Sequence, residues 1–257
     1  MRASQLNQAL LTPREAPPAL DIRNHALFLD LDGTLLEIQD TPDAVTASPA
    51  LLLLLRRLTK EMSGALAVIT GRTLVDTDDI LEGAVNYAAG IHGFEIQRGV
   101  KIVREQIELK HLALAREDVR ALLQQNELPA LVEDKHASLA LHYRHAPAAE
   151  EHVKAIAAKI AAERGLRVLH GKMVVELVAS ARTKGHALTV FMAAPPFMGR
   201  TPIAIGDDRT DEDAFAAAKR MGGCGVLAGA PRDSNAGFLL PGPAAVIAWL
   251  EAGLHAA

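Results

Sequence analysis

Two aspartates one residue apart, Asp30 and Asp32, close the apolar run Ala26-Leu27-Phe28-Leu29. A run of that length bounded by polar residues predicts a buried strand, and the Gly33-Thr34 that follows lets the chain turn away sharply. Side chains alternate along an extended chain, so Asp32 can return to the side of Asp30 while Leu31 points into the core. Alone, a strand followed by an Asp-Gly turn is commonplace. Three further polar stretches stand at the ends of predicted elements: Thr70-Gly71-Arg72 after Ala65–Ile69, Lys184 at the start of a helical period, and Asp207-Asp208 with Asp211 after Pro202–Ile205. Open α/β sheets bind ligands outside the carboxyl ends of their strands. Four or five carboxylates, a hydroxyl and an amine could therefore meet in one place.

Carboxylates packed at one end of a sheet repel one another. A hard divalent cation relieves that repulsion, and Mg²⁺ needs only a few carboxylates besides water and substrate phosphate. Zinc gains no support: there is no Cys cluster, and His136, His142 and His145 are not spaced for one helical face. The set suits phosphoryl transfer. A carboxylate can attack phosphorus and form an aspartyl-phosphate, and a second can protonate the leaving oxygen and then activate water. Mg²⁺ and Lys184 would neutralise the phosphoryl oxygens, and Thr70 can donate one more hydrogen bond. No P-loop is present. Each residue also has a plain alternative. Lys184 could be solvated, Asp207-Asp208 could cap the helix that follows, Arg72 could sit in a surface salt bridge, and His92 could be an ordinary loop histidine.

The elements that must position these groups follow from the apolar periods. Strand Ala26–Leu29, helix Ala50–Met62 (Ser48 as N-cap, Pro49 at the first position), strand Ala65–Ile69, helix Thr73–Leu81 and strand Asn86–Gly90 make a β-α-β-α-β order. That order predicts a parallel sheet with right-handed crossovers. A hairpin return at Gln97–Val103 follows, and the polar segment Glu37–Ser48 suits a flap over the site. From about residue 105 the order becomes α-β-β-α-β-β: helix Leu109–Gln125, strands Ala130–Val132 and Ser138–Tyr143, helix Ala148–Arg164 closed by Gly165, then strands Leu166–Leu169 and Met173–Val178. A small mixed sheet with two helices on one face is expected. The α/β order resumes with helix Thr183–Met192, strand Pro202–Ile205, helix Thr210–Lys219, two short strands and helix Ala244–Ala252. The expected architecture is thus α/β: a Rossmann-like parallel-sheet core, residues 25–104 and 181–257, carrying an inserted α+β cap, residues 105–180, after a loose leader, residues 1–24.

Composition narrows the class. The chain has 257 residues, 49% of them apolar, enough to fill a core. Aromatics are 4% and the formal net charge is −4, with no basic block, so nucleic acid is not an expected partner. No apolar run reaches the length of a membrane span, the first residues lack the apolar centre of a signal peptide, and Cys224 is the single cysteine. A cytoplasmic protein is expected.

The stretch Asp-Leu-Asp-Gly-Thr-Leu at 30–35 resembles the first motif of the haloacid dehalogenase superfamily, and Thr70, Lys184 and Gly206-Asp207-Asp208 fall where its second, third and fourth motifs belong. More narrowly, the chain resembles trehalose-6-phosphate phosphatases over about 25–252. The supporting stretches are Ile69–Arg72, Gly90–Gly93, Glu133-Asp134-Lys135, Leu141–Arg144, Gly171-Lys172 with Glu176, Lys184-Gly185 and Gly206–Glu212. The resemblance implies a phosphoric monoester hydrolase that uses Mg²⁺ and converts trehalose 6-phosphate to trehalose and phosphate. It implies Asp30 as nucleophile, Asp32 as general acid/base, and Thr70 and Lys184 on the phosphate. Asp30, the Asp32 carbonyl and Asp207 would hold the metal, with Asp208 and Asp211 around it. Glu133, Lys135 and Glu176 would hold the sugar, and Arg72, His92 and Asp208 complete the expected substrate site. Thr70 stands where this family often has Ser, which keeps the hydroxyl. The alternatives are a related phosphatase of another sugar phosphate, such as sucrose 6-phosphate, and a non-catalytic sugar-phosphate-binding subunit. The macromolecular partner brought into view is a trehalose-phosphate synthase.

Overall fold

The apolar run ending at Leu29 forms β1 (His25–Leu29), with Ala26 to Leu29 buried, inside an eight-stranded sheet. The computed structural model describes residues 15–39, 41 and 44–255. Beside β1 lie β2 (Leu66–Ile69) and β3 (Tyr87–Gly90) on one flank. The hairpin β4 (Glu95–Arg98) and β5 (Lys101–Arg104) extends that flank antiparallel. On the other flank run β10 (Thr201–Gly206), β11 (Cys224–Ala228) and β12 (Phe238–Leu240), all parallel to β1. Chain order thus proceeds outward from β1 in both directions. The carboxyl end of β1 is the switch point, where crossovers on the two sides leave a crevice.

Helices α1 (Pro49–Glu61), α2 (Leu74–Leu81), α5 (Lys184–Met192), α6 (Glu212–Arg220) and α7 (Pro243–His255) accompany this sheet. Ser48 caps α1 by accepting from the Leu51 N–H, with Pro49 at the start, as the sequence led us to expect. The helix expected from Thr210 begins instead as a 3-10 turn, Arg209–Asp211, before α6.

The second sheet is antiparallel: β6 (Leu131–Asp134), β7 (Ser138–His142), β9 (Val174–Val178), β8 (Arg167–Gly171), in that spatial order. Helices α3 (Lys110–Gln125) and α4 (Glu150–Arg164) cover one face. Leu112, Val119, Val153 and Ile160 from the helices meet Leu139, Leu141, Val175 and Leu177 from the strands in a separate apolar cluster. Side chains alternate between faces along a strand, so the residues interleaved with these point the other way. Register puts Glu133 beside Ala140, Ala140 beside Glu176, and Glu176 beside Leu169 on that second face.

Residues 1–14 of the expected leader lie outside the described residues, as do Asp40, Pro42 and Asp43 of the expected flap. Residues 15–24 are not loose. Leu20 and Ile22 are buried in the main core, the Leu239 N–H donates to Glu15 O at 3.0 Å, and Trp249 Nε1 donates to Pro18 O at 3.0 Å. Leu20 and Ile22 are the only large aliphatic side chains of this stretch, too few to make a periodic apolar pattern in the sequence. Among the described residues, no helix is long and apolar enough to cross a membrane.

Candidate active site

Three chain exits build the floor of the crevice. Leu29 is in register with Val68 of β2 and with Ile205 of β10, so the chain leaves the sheet at nearly one level at Asp30, Thr70 and Asp207. The Asp30 N–H still donates to Ile205 O at 2.9 Å, and the Thr70 N–H to Ala89 O at 2.9 Å, which fixes both residues to the sheet edge. Gly33 then makes the turn with φ +79, and a Cβ there would stand 2.1 Å from Asp207 Oδ2. Only glycine allows both that backbone angle and that approach.

Lys184 enters from the first turn of α5, where Thr183 caps the helix. Its Nζ donates to Asp30 Oδ1 at 2.6 Å and to Asp211 Oδ1 at 2.6 Å. Asp30, Asp207 and Asp211 each bring a carboxylate oxygen within 4.8 Å of the others; among the described residues this is the group able to hold a metal ion. No histidine joins it, and His136, His142 and His145 gather no such site. Burial pushes the Asp30 carboxyl well above the ordinary range; Lys184 opposes the rise, while Asp211 and Asp207 add to it. Asp207 is likewise raised by burial, to about 6, against the pull of Lys172. Burial works against the Lys184 charge, but Asp211 and Asp30 outweigh it and hold the ammonium charged above its usual range. Three carboxylates crowded together, two of them with raised proton affinity, are a donor set that fits a hard divalent cation.

Asp208 and Asp211 also do what their spacing allows in any turn. Asp208 and Asp211 form a capping box, the Asp208 side chain accepting from the Asp211 N–H and Asp211 Oδ2 from the Asp208 N–H at 3.0 Å, while Asp208 Oδ1 also accepts from the Arg209 N–H at 2.7 Å. The capping alternative is realised at Asp208, and it coincides with a place at the site. Asp208 lines the cavity; Asp211 sits behind Lys184. Arg72, expected either on substrate or in a surface salt bridge, lines the cavity and forms its salt bridge inside it rather than at the surface. Its guanidinium is mostly buried and grips Asp32 with Nε to Oδ2 at 2.7 Å and Nη2 to Oδ1 at 2.8 Å. Thr70 is buried, and its Oγ1 accepts from the Arg72 N–H at 3.2 Å.

The roof of the cavity is the helix-free face of the second sheet. Glu133, Lys135 and Glu176 line it, with His142, Leu169, Gly171 and Val174. Glu176 is buried, accepts Ser138 Oγ at 2.5 Å, faces His92 Nε2 at 3.0 Å, and has Lys135 Nζ at 3.7 Å. Burial alone would raise its pKa, yet Lys135 and His92, with hydrogen bonds from His92 and Ser138, hold the carboxylate far below the usual range. Glu133 contacts His142 Nε2 at 2.8 Å and Lys135 at 3.8 Å. Those partners overcome its burial and lower its pKa. Lys135 also reaches the floor, donating to Gly71 O at 3.2 Å. With His92–Glu176 this ties roof to floor.

Every expected site residue except Asp211 lines this one cavity. Lys172, Arg144 and His142 line it too, and nothing in their sequence context singles them out for the site. Lys172 pairs with Asp207 across the two sheets. Its position in a Gly-Lys turn between strands was the available signal, but nothing local says that the turn hangs over Asp207.

A family model described as trehalose-phosphatase matches residues 28–241. The chain is 39% identical over 213 residues to a probable trehalose-phosphate phosphatase of Sinorhizobium fredii, covering 82% of this chain and 80% of that one. It is 37% identical over 245 residues to the trehalose-6-phosphate phosphatase of Escherichia coli, covering 93% and 90%. The C-terminal domain of the C. albicans trehalose-6-phosphate phosphatase superposes with a TM-score of 0.81 at 18% identity, over 93% of this chain and 99% of that one. The chain therefore belongs to the trehalose-phosphatase family.

Proposed function

We propose that this phosphatase hydrolyses trehalose 6-phosphate to trehalose and phosphate, with residues 25–104 and 181–257 as catalytic core and residues 105–180 as cap. The observation that carries the reading is one cavity with Asp30, Thr70 and Lys184 on its floor and Glu133, Lys135 and Glu176 on its roof. Phosphate chemistry has its groups below and a hydroxyl-rich sugar has donors and acceptors above.

In the first half-reaction a carboxylate oxygen of Asp30 attacks phosphorus and the bond to the sugar oxygen breaks. Asp32, held by the Arg72 fork, gives its proton to that departing oxygen. In the second, water attacks the phosphorus of the Asp30 aspartyl-phosphate as Asp32 takes a proton from it; the bond from phosphorus to the Asp30 oxygen breaks, which releases phosphate, restores the Asp30 carboxylate and returns Asp32 to its protonated form. Lys184 keeps the Asp30 carboxylate oriented, and Thr70 and Lys184 supply donors to the phosphoryl oxygens. Asp30, Asp207 and Asp211, with Asp208 and the Asp32 carbonyl beside them, would hold Mg²⁺, which when bound neutralises phosphoryl charge. The reading keeps the cytoplasmic setting expected from the sequence, and co-purification tests the association with a trehalose-phosphate synthase.

The test is phosphate release across a panel of sugar phosphates, with and without a chelator. The expected result is preference for trehalose 6-phosphate, loss of activity on chelation and recovery with Mg²⁺. A clear preference for sucrose 6-phosphate would move the chain to the related phosphatase reading, and ligand binding without turnover to the non-catalytic one.

A further inference from the structure

Glu95 faces neither phosphate nor sugar, yet it is buried, at the first residue of β4. Its carboxylate is held from two directions: Oε2 accepts the Leu74 backbone N–H at 2.9 Å, and Oε1 accepts Arg104 Nε at 2.6 Å. Leu74 opens α2, so its N–H has no partner inside the helix. Thr73, the N-cap, uses its hydroxyl on the Asp76 N–H instead. The junction is also closely packed. Gly90 pairs with Glu95 across β3 and β4, and a Cβ on it would stand 2.9 Å from Arg72 O, 2.9 Å from Leu74 N and 3.2 Å from Glu95 Oε2.

The segment so pinned is the one that carries Arg72. The Thr70 carbonyl accepts from the His92 N–H at 3.0 Å and the Arg72 carbonyl from the Ile91 N–H at 2.8 Å. Glu95 adds the third anchor, on the far side of Arg72. We propose that Glu95 is a positioning residue for the reaction: it fixes the backbone from which Arg72 aims its guanidinium fork at Asp32. A bidentate pair needs both N–H···O lines at once, so it is sensitive to small shifts of the backbone that bears it. Arg104, the other partner, has a half-exposed side chain. Water can replace it, whereas the buried Leu74 N–H has no substitute for Glu95. This inference rests on the hydrolytic reading of Asp32 given above.

Turnover of 4-nitrophenyl phosphate reads the core without the sugar. Glu95→Ala should lower kcat about five- to thirtyfold, the effect of one buried donor left unpaired. Glu95→Gln, whose carbonyl oxygen can still accept from Leu74, should stay close to wild type, as should Arg104→Met. In an Arg72→Met background Glu95→Ala should cost almost nothing more, because both act through one contact. Full additivity would make Glu95 a general support of the fold and overturn the proposal. Gly90→Ala wedges the same junction while keeping the carboxylate, and should show the same loss and the same non-additivity if Glu95→Ala does not fold. A second readout is independent of turnover: the ¹⁵N-edited NMR signal of the Arg72 Nε–H, protected by Asp32, should vanish or broaden in Glu95→Ala and persist in Glu95→Gln. An unchanged signal in Glu95→Ala overturns the positioning role. Loss of that signal in a protein whose wild type hydrolyses no phosphate ester would sustain the positioning role and refute the hydrolytic reading instead.

Discussion

Floor and roof of the cleft are both built from carboxylates and lysines, yet they hold charge in opposite ways. On the floor Asp30, Asp207 and Asp211 outnumber their ammonium partners, and the Asp30 and Asp207 carboxyls are pushed upward. On the roof Glu133 and Glu176 meet Lys135, His142 and His92, and both carboxyls are drawn downward. The same residue types thus make a floor short of positive charge and a roof already satisfied. A floor of that kind is suited to gain a divalent cation and a phosphoryl group that it helps to neutralise. A roof of that kind is suited to exchange its internal hydrogen bonds for sugar hydroxyls, because every carboxylate and ammonium there can accept or donate in a fixed direction.

The contrast can be broken in order of severity. Asp30→Asn removes the attacking group, and hydrolysis of both a sugar phosphate and an aryl phosphate should fall by about 10⁴-fold or more, the scale seen when a nucleophile is deleted. Steady-state phosphate release in a preparation free of contaminating phosphatase checks this, and appreciable activity would reassign the nucleophile. Asp32→Asn should lower kcat by about 10²–10⁴-fold while leaving KM nearly unchanged, as for other general acid–base groups. A near-normal kcat would remove Asp32 from proton transfer. Glu133→Ala and Glu176→Ala should cut kcat/KM for trehalose 6-phosphate by about ten- to a hundredfold, since each leaves a buried partner unpaired.

The smallest effect concerns acid stability. Glu176 has a folded pKa below its unfolded value of about 4.3. Such a group contributes stability that is fully present above the unfolded pKa and is lost as pH falls below it toward the folded value. Thermal unfolding of wild type should therefore drop more steeply between about pH 5 and pH 3 than that of Glu176→Gln, which has no proton to gain. Parallel curves would mean that the roof carboxylate is not held by its partners as described.

Much of the floor was legible in the chain itself. Asp30, Thr70 and Asp207 each follow a buried apolar run, and strands of one parallel sheet must end at one edge. The N-cap at Asp208 was legible as well, because it is local, while the reciprocal bond from Asp211 was not read. What escaped was long-range. Lys172 reaches Asp207 from another sheet, and the grip of Arg72 on Asp32 joins two strand ends that only the folded register brings together. Residues 15–24 read as loose leader because their ties are long-range: Leu20 and Ile22 pack in the core, and the bonds to Glu15 O and Pro18 O come from Leu239 and Trp249. The roof stood between these cases: Glu133 and Glu176 appear on one face only once register pairs both with Ala140.

The claim at the centre is that floor and roof divide chemistry from recognition. The most direct measurement is the ratio of kcat/KM for trehalose 6-phosphate to kcat/KM for 4-nitrophenyl phosphate, compared among wild type, Thr70→Val and Lys135→Ala. The floor variant should lower both rates and leave the ratio unchanged. The roof variant should collapse the ratio by about ten- to a hundredfold while the aryl phosphate rate stays near wild type. An unchanged ratio in Lys135→Ala, with both substrates losing rate together, would contradict the division.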